Sequence, residues 1–575
     1  MQRGGVVTDA NENSEHDEEQ QWEENRAIAD RVIHREQTCQ SGKYSERAPW
    51  TQYGSQRRIG RKTCSEQTLV EASRTLWKQH ARQTGGQMVG SEHYQIKVRD
   101  GVQEFHSFGR TTPQGGLYLK DLTQGSVWGN LLRMSAFLMA SMLGQALYLL
   151  ADMYWVGRLG RESVAAVGLA ANLMALTLAL TQMMGVGTTT LISHAAGVSN
   201  QNRARLVFNQ SFVLSIAGGG TLCLLAFLLR HAYCAALAAS LETVRLGTTY
   251  LAWFVPALFL QFPLISMGAA LRGAGVVKPT VVVLVLSVLV NLVLAPILIL
   301  GWGTGHAFGV RGAAMATFFA LVLGVAGMLG YFVVQEKYLA FDTSGMRPDF
   351  ALWREVFQIG LPAGAELGIL GIYLIMVYAA IRHFGAAAQG GFAIGARIMQ
   401  SLILPAVAVG MANAPIVGQN FSAKHATRVR ESFWAACAVG SVVMVLLTAL
   451  CQARAASLVS LFSKQDDVMA VAAGYLRLIS LTFLATGLIF ACTSVFQGLG
   501  NTRPPFLSSI IRLFAFSVPV LLLLGQLTLQ DIWLISAGSI WVQAIANLWF
   551  LRMELQTRLG TLPEEGGAKE GLSVS

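Results

Sequence analysis

The chain has 575 residues, of which 53% are hydrophobic and 13% are charged, and its formal net charge is +10. Soluble domains carry about 25% charged residues, so this composition excludes an ordinary cytosolic enzyme. The positive charge does not indicate nucleic-acid binding, because the basic residues lie mainly in short breaks between apolar runs, as they do in membrane proteins.

Residues 1–123 form a polar N-terminal extension. Residues 1–120 contain 17 Lys and Arg against 16 Asp and Glu, with few apolar residues. Such a segment cannot bury a core, so we predict that it is disordered. The alternative is that synthesis starts later, for example at Met88. No apolar run with a cleavage site follows Met1, so the first apolar run is expected to act as the insertion signal.

Twelve apolar runs follow, each of about the 20 residues that cross a hydrocarbon core. We predict spans near 126–156, 162–187, 205–230, 246–271, 279–301, 310–334, 355–383, 388–413, 431–452, 471–496, 505–527 and 531–552. The predicted parts are an N-lobe (124–334), a linker (335–354), a C-lobe (355–553) and a tail (554–575). Basic residues are more frequent in the loops on one side, which places both termini and the linker in the cytoplasm.

An internal repeat appears when the chain is compared with itself at a shift of 225 residues. Gly160 then meets Gly385, Arg203 and Arg205 meet Arg428 and Arg430, Tyr250 meets Tyr475, and Gly273, Gly275 and Pro279 meet Gly498, Gly500 and Pro504. Each lobe has an even number of spans, so both copies insert in the same orientation. We therefore predict an all-α membrane protein of two homologous six-helix bundles, related by a pseudo-two-fold axis along the membrane normal.

Two carboxylates, Asp152 and Glu366, lie inside predicted spans, where an acid costs about 2.5 kcal/mol or more and is usually functional. We predict that Asp152 exchanges a proton for a cation; the alternative is a bond to a neighbouring helix. Glu366, after the break at Leu361-Pro362, is predicted to bind a cation or the substrate; the alternative is again an interhelical hydrogen bond. The repeat places Val377 opposite Asp152 and Ser141 opposite Glu366, so the lobes are expected to be specialised.

Neutral polar residues in the spans are candidate ligands, although such residues more often join helices. They are Asn291, Thr317, Gln145, Gln182, Asn209 and Gln210. The aromatic residues Tyr148 and Tyr373 could stack on a cationic substrate or simply pack. For Arg512 we favour a structural role, and we expect His194 in the loop after the second span.

The motifs of several other protein classes do not occur. The seven cysteines show no CxxC or His/Cys spacing, so we predict no metal and no disulfide framework. Without a Walker A pattern, energy is expected to come from an ion gradient, and no ATPase subunit is implied. The isolated carboxylates do not form a catalytic cluster, so we predict that the chain is not an enzyme.

Several motifs, in order, resemble those of the multidrug and toxic compound extrusion (MATE) transporters. They are Gln145 to Asp152 (QALYLLAD), 156–160 (VGRLG), 270–275 (ALRGAG), 291–296 (NLVLAP), 312–317 (GAAMAT), 360–364 (GLPAG) and 415–420 (PIVGQN). The resemblance covers residues 125–553. It implies a V-shaped pair of six-helix bundles that exchanges protons or sodium for organic, often cationic, compounds by alternating access.

The same resemblance suggests which residues act. Asp152 matches the family's first-helix aspartate, Asn291 and Thr317 match polar partners near it, and Glu366 lies in the second-lobe helix where some members place an acid. This chain has Ala295 where many members have Asp, which favours a proton over sodium. Its first span has no proline, so a proline-centred bend of that helix is not expected.

The leading hypothesis is therefore a secondary antiporter that exports small organic, cationic or amphipathic compounds in exchange for protons, or less favourably for sodium. The ion-coupling residues would be Asp152, Asn291, Thr317 and Glu366, and the substrate would contact Gln145, Tyr148, Gln182, Glu366 and Tyr373. We expect no cofactor, and a monomer surrounded by lipid in a bacterial inner membrane. A flippase for lipid-linked glycans or a metabolite exporter of related fold is the alternative.

Overall fold

The computed structural model describes residues 98–99, 102–103 and 120–560, apart from 239, 304 and 524; the side chains of 98–99, 102–103, 147–153, 161 and 344 are not described. The chain separates into two units, Met1–Thr112 and Pro113–Ser575. In the first unit, the short strands β1 (Val98–Arg99) and β2 (Val102–Gln103) pair in antiparallel fashion. The rest of the predicted disordered extension up to residue 119, and the tail after residue 560, lie outside the described residues.

The second unit is helical throughout its described part. Its α-helices are α1 (Val127–Gly157), α2 (Arg161–Gly197), α3 (Gln201–Leu237), α4 (Leu241–Gly273), α5 (Lys278–Leu300), α6 (Val310–Val334), α7 (Phe350–Ile381), α8 (Ala386–Leu402), α9 (Leu404–Ser422), α10 (Ala426–Ser460), α11 (Asp466–Ser480), α12 (Phe483–Gly498), α13 (Arg503–Leu522) and α14 (Leu529–Leu559). Short 3₁₀ turns occur at Ser344–Met346 and Arg382–Phe384.

Each predicted span coincides with one helix or with two consecutive helices. In the part of the chain that the structure describes, ten helical segments are long and apolar enough to cross a membrane, with α8 and α9 counted together, and the bent pair α11–α12 makes eleven. The remaining predicted span is α1, whose 31 residues also have the necessary length. The helices α1 to α6 form the N-lobe and α7 to α14 the C-lobe, which confirms the predicted fold class.

Several helices extend beyond the predicted spans. The second span was expected to end near residue 187, but α2 continues to Gly197, and His194 lies in its last turn instead of in a loop. Hydropathy detects only the part of a helix that contacts hydrocarbon, whereas backbone hydrogen bonding continues into the polar region. The span boundaries were therefore too short at this end.

The internal repeat is visible in the backbone. Among the described residues, Ser199 and Lys424 are the non-glycine residues with positive φ, at 54° and 63°, and they are 225 positions apart. Gly275 and Gly500, at the same shift, have φ of 79° and 76°. These four residues lie two positions after the ends of α2, α9, α4 and α12, respectively. A residue in this left-handed region stops a helix and turns the chain. The two lobes thus share the turns that connect their helices.

The lobes differ at two helices that are continuous in the N-lobe and interrupted in the C-lobe. Where the N-lobe has the continuous helices α2 and α4, the C-lobe has α8 and α9, which meet at Ile403, and α11 and α12, which are bent by 53°. Side chains of α10 bind the carbonyl groups at the second break: Thr448 Oγ1 donates to Ser480 O at 2.8 Å. Interrupted helices inside a membrane are tolerated where the freed polar groups are satisfied or line a cavity.

The linker between the lobes is attached to the N-lobe by two buried amides of α3. Asn209 accepts from Asp342 N at 3.1 Å, and Gln210 accepts from Asp349 N at 2.9 Å. These residues join the helix to the linker backbone, and Gln210 Oε1 also accepts from Trp353 Nε1 of α7 at 3.0 Å. Glu336, at the start of the linker, accepts from the backbone N–H of Tyr338 and Leu339; burial raises the pKa of its carboxyl group, and these hydrogen bonds oppose that shift.

Candidate transport site

A cavity of about 270 Å³ lies between the lobes. Most of its wall comes from the C-lobe helices α7 to α9 and α11 to α14, and one side comes from α2 and α4 of the N-lobe. The lining includes the aromatic rings of Tyr373, Phe392, Tyr475 and Phe490 beside many hydroxyl and amide groups. An apolar wall with a few polar groups is typical of a site for a small organic molecule.

A chain of hydrogen bonds on the C-lobe side connects a carboxylate to a guanidinium. Ser509 Oγ donates to Glu366 Oε1 at 3.1 Å, and Gln543 Nε2 donates to Ser509 Oγ at 3.0 Å. At the other end, Arg512 Nη1 donates to Gln543 Oε1 at 3.4 Å. Glu366 and Arg512 also interact electrostatically. Three helices, α7, α13 and α14, thus contribute to one polar network in the cavity wall.

Aromatic residues hold this network in place. The guanidinium of Arg512 lies over the ring of Tyr373, 4.4 Å from its centroid, and Tyr373 shares a 2.6 Å hydrogen bond with Ser536. The ring of Tyr373 is in turn 5.0 Å from that of Phe516. The hydrogen bond of its hydroxyl group and the contact with Phe516 fix the ring of Tyr373. The arginine stacked on this ring is therefore restricted, and the position of the positive charge is defined before any ligand binds.

A second arginine reaches the cavity from the N-lobe. Arg272, in the last turn of α4, also lines the cavity. Its side chain passes Gly185 of α2 and Gly268 of its own helix. Among the described lining residues, the charged side chains are therefore two arginines and one glutamate.

The predicted substrate contacts are only partly brought together. Gln182, Glu366 and Tyr373 line the cavity, whereas Gln145 is exposed on α1 and is not among the described lining residues. The side chain of Tyr148 is not described. Arg272, Tyr475, Ser509 and Gln543 also line the cavity and were not predicted as site residues. Ser509 and Arg512, three residues apart on one helix face, form a pattern that could have indicated the site.

The predicted N-lobe ion site is a separate feature. Asn291 of α5 and Thr317 of α6 are buried and joined by a hydrogen bond of 3.4 Å, but neither is among the described residues that line the cavity. Asp152 lies near the end of α1, and its side chain is not described. The described residues contain no group of three or more His, Cys, Asp or Glu that could hold a metal.

The lobes meet closely at the end of the bundle where α2, α4, α9 and α12 terminate. Thr190 Oγ1 donates to Gln497 O at 2.9 Å, and His194 Nε2 lies 2.7 Å from Gly498 O. Every hydrogen bond between the two lobes that the described residues make lies at this end, which we call the closed end. The cavity is adjacent to the closed end, because Thr190 and Gln497 also line it.

A short segment before α1 joins the lobes at the closed end. Residues 120–125 pass between them: Lys120 N donates to Ala274 O of the N-lobe, and Leu122 N donates to Gln419 Oε1 of the C-lobe at 2.9 Å. Gln419 itself donates to Gly273 O at 3.0 Å. We call residues 120–125 the strap. Its first four residues belong to the region assigned from sequence to the extension.

Comparison with known proteins agrees with this architecture. The MatE family model matches residues 138–297 and 362–523, one match in each lobe and together more than half of the chain. A probable multidrug resistance protein, YoeA of Bacillus subtilis, is 25% identical over 435 residues, which cover 73% of this chain and 92% of that protein. The multidrug export protein MepA of Staphylococcus aureus is 24% identical over 408 residues, covering 70% and 88%.

A solved structure shares the fold. A MOP superfamily transporter from Pyrococcus furiosus superimposes with a TM-score of 0.72 at 24% identity, covering 78% of this chain and 100% of that one. The two matches of the family model, their position in the two lobes and the cavity between those lobes lead to one conclusion. The chain belongs to the MatE family and is a multi-pass membrane transporter.

Proposed function

We propose that this protein is a secondary antiporter that exports small organic, amphipathic compounds, cationic ones among them, in exchange for protons. The observation that carries the proposal is the interlobe cavity, which combines aromatic rings with the carboxylate of Glu366. Aromatic faces attract organic cations, and a carboxylate binds either a cation or a proton. The names of YoeA and MepA, which refer to multidrug resistance and export, support the same substrate class.

Proton exchange follows from competition for a carboxylate. When a proton neutralises Glu366, an organic cation beside it loses its countercharge and is released. The same logic applies to Asp152 if it changes protonation as the lobes move. A proton is favoured over sodium because Glu366 receives only a hydroxyl hydrogen bond from Ser509 in the described network, and because Ala295 replaces the carboxylate common in the family.

Alternating access requires that the closed end open. With the predicted orientation, the closed end is cytoplasmic, so this conformation faces outward. Substrate would enter when the contacts of Thr190 and His194 separate and would leave from the present state. We propose that the protein works as a monomer in the inner membrane of a bacterium; the relatives YoeA and MepA are bacterial.

The test is efflux of the fluorescent cation rhodamine 123 from a pump-deficient bacterium, with a proton or a sodium gradient imposed in turn. We expect the wild type to export the dye under a proton gradient, and Asp152→Asn and Glu366→Gln to lower the rate at least tenfold at equal protein level. Glu162→Gln, at an exposed acid that starts α2, is the control and should behave as wild type. If no gradient drives the dye, drug export is wrong, and a flippase or metabolite exporter becomes the better hypothesis.

A further inference from the structure

Arg512 and Glu366 carry opposite charges into the same cavity without forming an ion pair. Among the described residues, neither takes part in a salt bridge of 4.0 Å or less. Ser509 and Gln543 lie between them: Ser509 donates to Glu366, Gln543 donates to Ser509 and accepts from Arg512. A buried charge is costly unless it is closely paired. Because the two groups do not pair with each other, each can still bind a group of opposite charge on a ligand.

The guanidinium of Arg512 has hydrogen-bond donors that remain available to a ligand. Its Nη1 makes one long hydrogen bond of 3.4 Å to Gln543, and its Nε is buried without a hydrogen-bond partner among the described residues. A guanidinium presents five donors in a planar fork that matches a carboxylate. Because Arg512 lines the cavity, an anionic group of a bound molecule is the partner that would satisfy it.

The balance of charge in the cavity favours the same ligand. Arg272 adds a second positive charge from the N-lobe side, so the described lining holds two cations and one anion. Such a wall binds a purely cationic compound less tightly than one that also carries an anionic group, since the two arginines attract the anionic group. A compound with one group of each sign would match Glu366 and Arg512 together.

We propose that the cavity selects amphoteric organic compounds, with a cationic group at Glu366 and a carboxylate or similar anionic group at Arg512. This specificity rests on the proposed export function and refines its substrate class. It also agrees with proton exchange. A proton at Glu366 displaces the cationic group, whereas a compound with only an anionic group would bind better to the protonated cavity and would not be exchanged for a proton.

The test compares rhodamine 110 with rhodamine 123, two dyes that differ by one methyl ester. Rhodamine 110 carries a carboxylate beside its cationic ring system, and the ester in rhodamine 123 removes the negative charge. Binding to the detergent-purified full chain is followed by fluorescence anisotropy, and transport is followed in proteoliposomes with a proton gradient. We expect the wild type to bind rhodamine 110 at least tenfold more tightly, about 1.4 kcal/mol in binding free energy, because its carboxylate adds a charge-assisted contact to Arg512.

Variants separate recognition from structure. Arg512→Gln should lower the affinity for rhodamine 110 at least tenfold and change that for rhodamine 123 less than threefold, while Arg512→Lys, which keeps the charge, should retain part of the preference. Arg430→Gln, at an exposed arginine of α10, is the matched control and should change neither. Fluorescein, which lacks the cationic group, should bind more tightly to Glu366→Gln than to wild type.

Each alternative has its own result. If Arg512 only supports Tyr373, Arg512→Gln will weaken both rhodamines equally, and the proposal is wrong. If rhodamine 123 is transported but rhodamine 110 is bound no better, the export function stands and the amphoteric specificity fails. If neither dye moves under any gradient, the export function itself fails. Should Arg512→Gln not fold, the ester comparison on the wild type and Arg512→Lys still decides the question.

Discussion

At the scale of single residues, the position of one glycine allows the lobes to approach each other. A Cβ at Gly360 of α7 would collide with the carbonyl oxygen of Met183 in α2, which is backbone and cannot move aside. Pro362 follows two residues later, yet α7 continues through it without a break. The break that the sequence predicted at Leu361-Pro362 is therefore absent from α7. The glycine before it, Gly360, instead allows a close contact between the lobes.

We predict that Gly360→Ala destabilises the present conformation by about 1–3 kcal/mol, the usual cost of overpacking. The physical reason is that the added methyl group separates α7 from α2. The melting temperature of the purified protein in detergent measures the effect, and efflux measures its consequence. Gly368→Ala is the control on the same helix, because a Cβ there meets no atom within 4 Å. Equal melting temperatures for the two variants would contradict the argument.

At the scale of elements, the strap makes contacts with both lobes that composition could not reveal. Leu122 is fully buried in a cluster that includes Val127, Ile416 and Val429, and its backbone oxygen accepts from Asn420 and Arg428. Composition assigned its first four residues to the polar extension, because such a short segment has too few apolar positions to stand out. Its role depends on partners about 300 residues away.

The contacts of the strap predict how the protein responds to truncation of its N-terminus. Removal of residues 2–112 should leave efflux within twofold of wild type if that region is a passive extension, whereas removal of residues 2–125 should abolish it.

Gln419→Leu tests the strap without deletion, since it leaves Leu122 N and Gly273 O without their partner, at about 1–3 kcal/mol for each buried group. The melting temperature should fall for Gln419→Leu and not for the control Gln465→Leu, an exposed glutamine. A stable Gln419→Leu protein would refute this role.

At the scale of the whole molecule, the two lobes share their turns but not their interiors. Helix ends correspond at a shift of 225 residues: α4 begins at Leu241 and ends at Gly273, and the α11–α12 pair spans Asp466–Gly498. The C-lobe copy is bent within this segment, and most of the cavity wall lies on that side. The prediction of specialised lobes, made from Asp152 and Glu366, is consistent with this difference.

Alternating access predicts that the closed end must separate in each cycle. We expect Thr190→Cys with Gln497→Cys, in a chain with Cys39 and Cys64 replaced by serine, to form an oxidative cross-link between the lobes and to lose transport. Reduction should restore it, because the block is mechanical. Mobility on gels measures the cross-link, and dye efflux measures function. The variants with only one of the two substitutions are the controls; undiminished transport by the cross-linked protein would argue against opening at this end.

The sequence by itself determined the membrane class, the twelve spans, the two-fold repeat and the family, because these depend on hydropathy over about 20 residues and on motifs within one helix. It also singled out Glu366, since an acid in an apolar run is conspicuous. Only the tertiary structure decided which polar residues share a cavity. Ser509, Arg512 and Gln543 become neighbours of Glu366 through the packing of α7, α13 and α14, and the strap meets Gln419 through the contact of the lobes. Such contacts join residues from about 30 to about 300 positions apart, on different helices, and no local pattern in the chain records them.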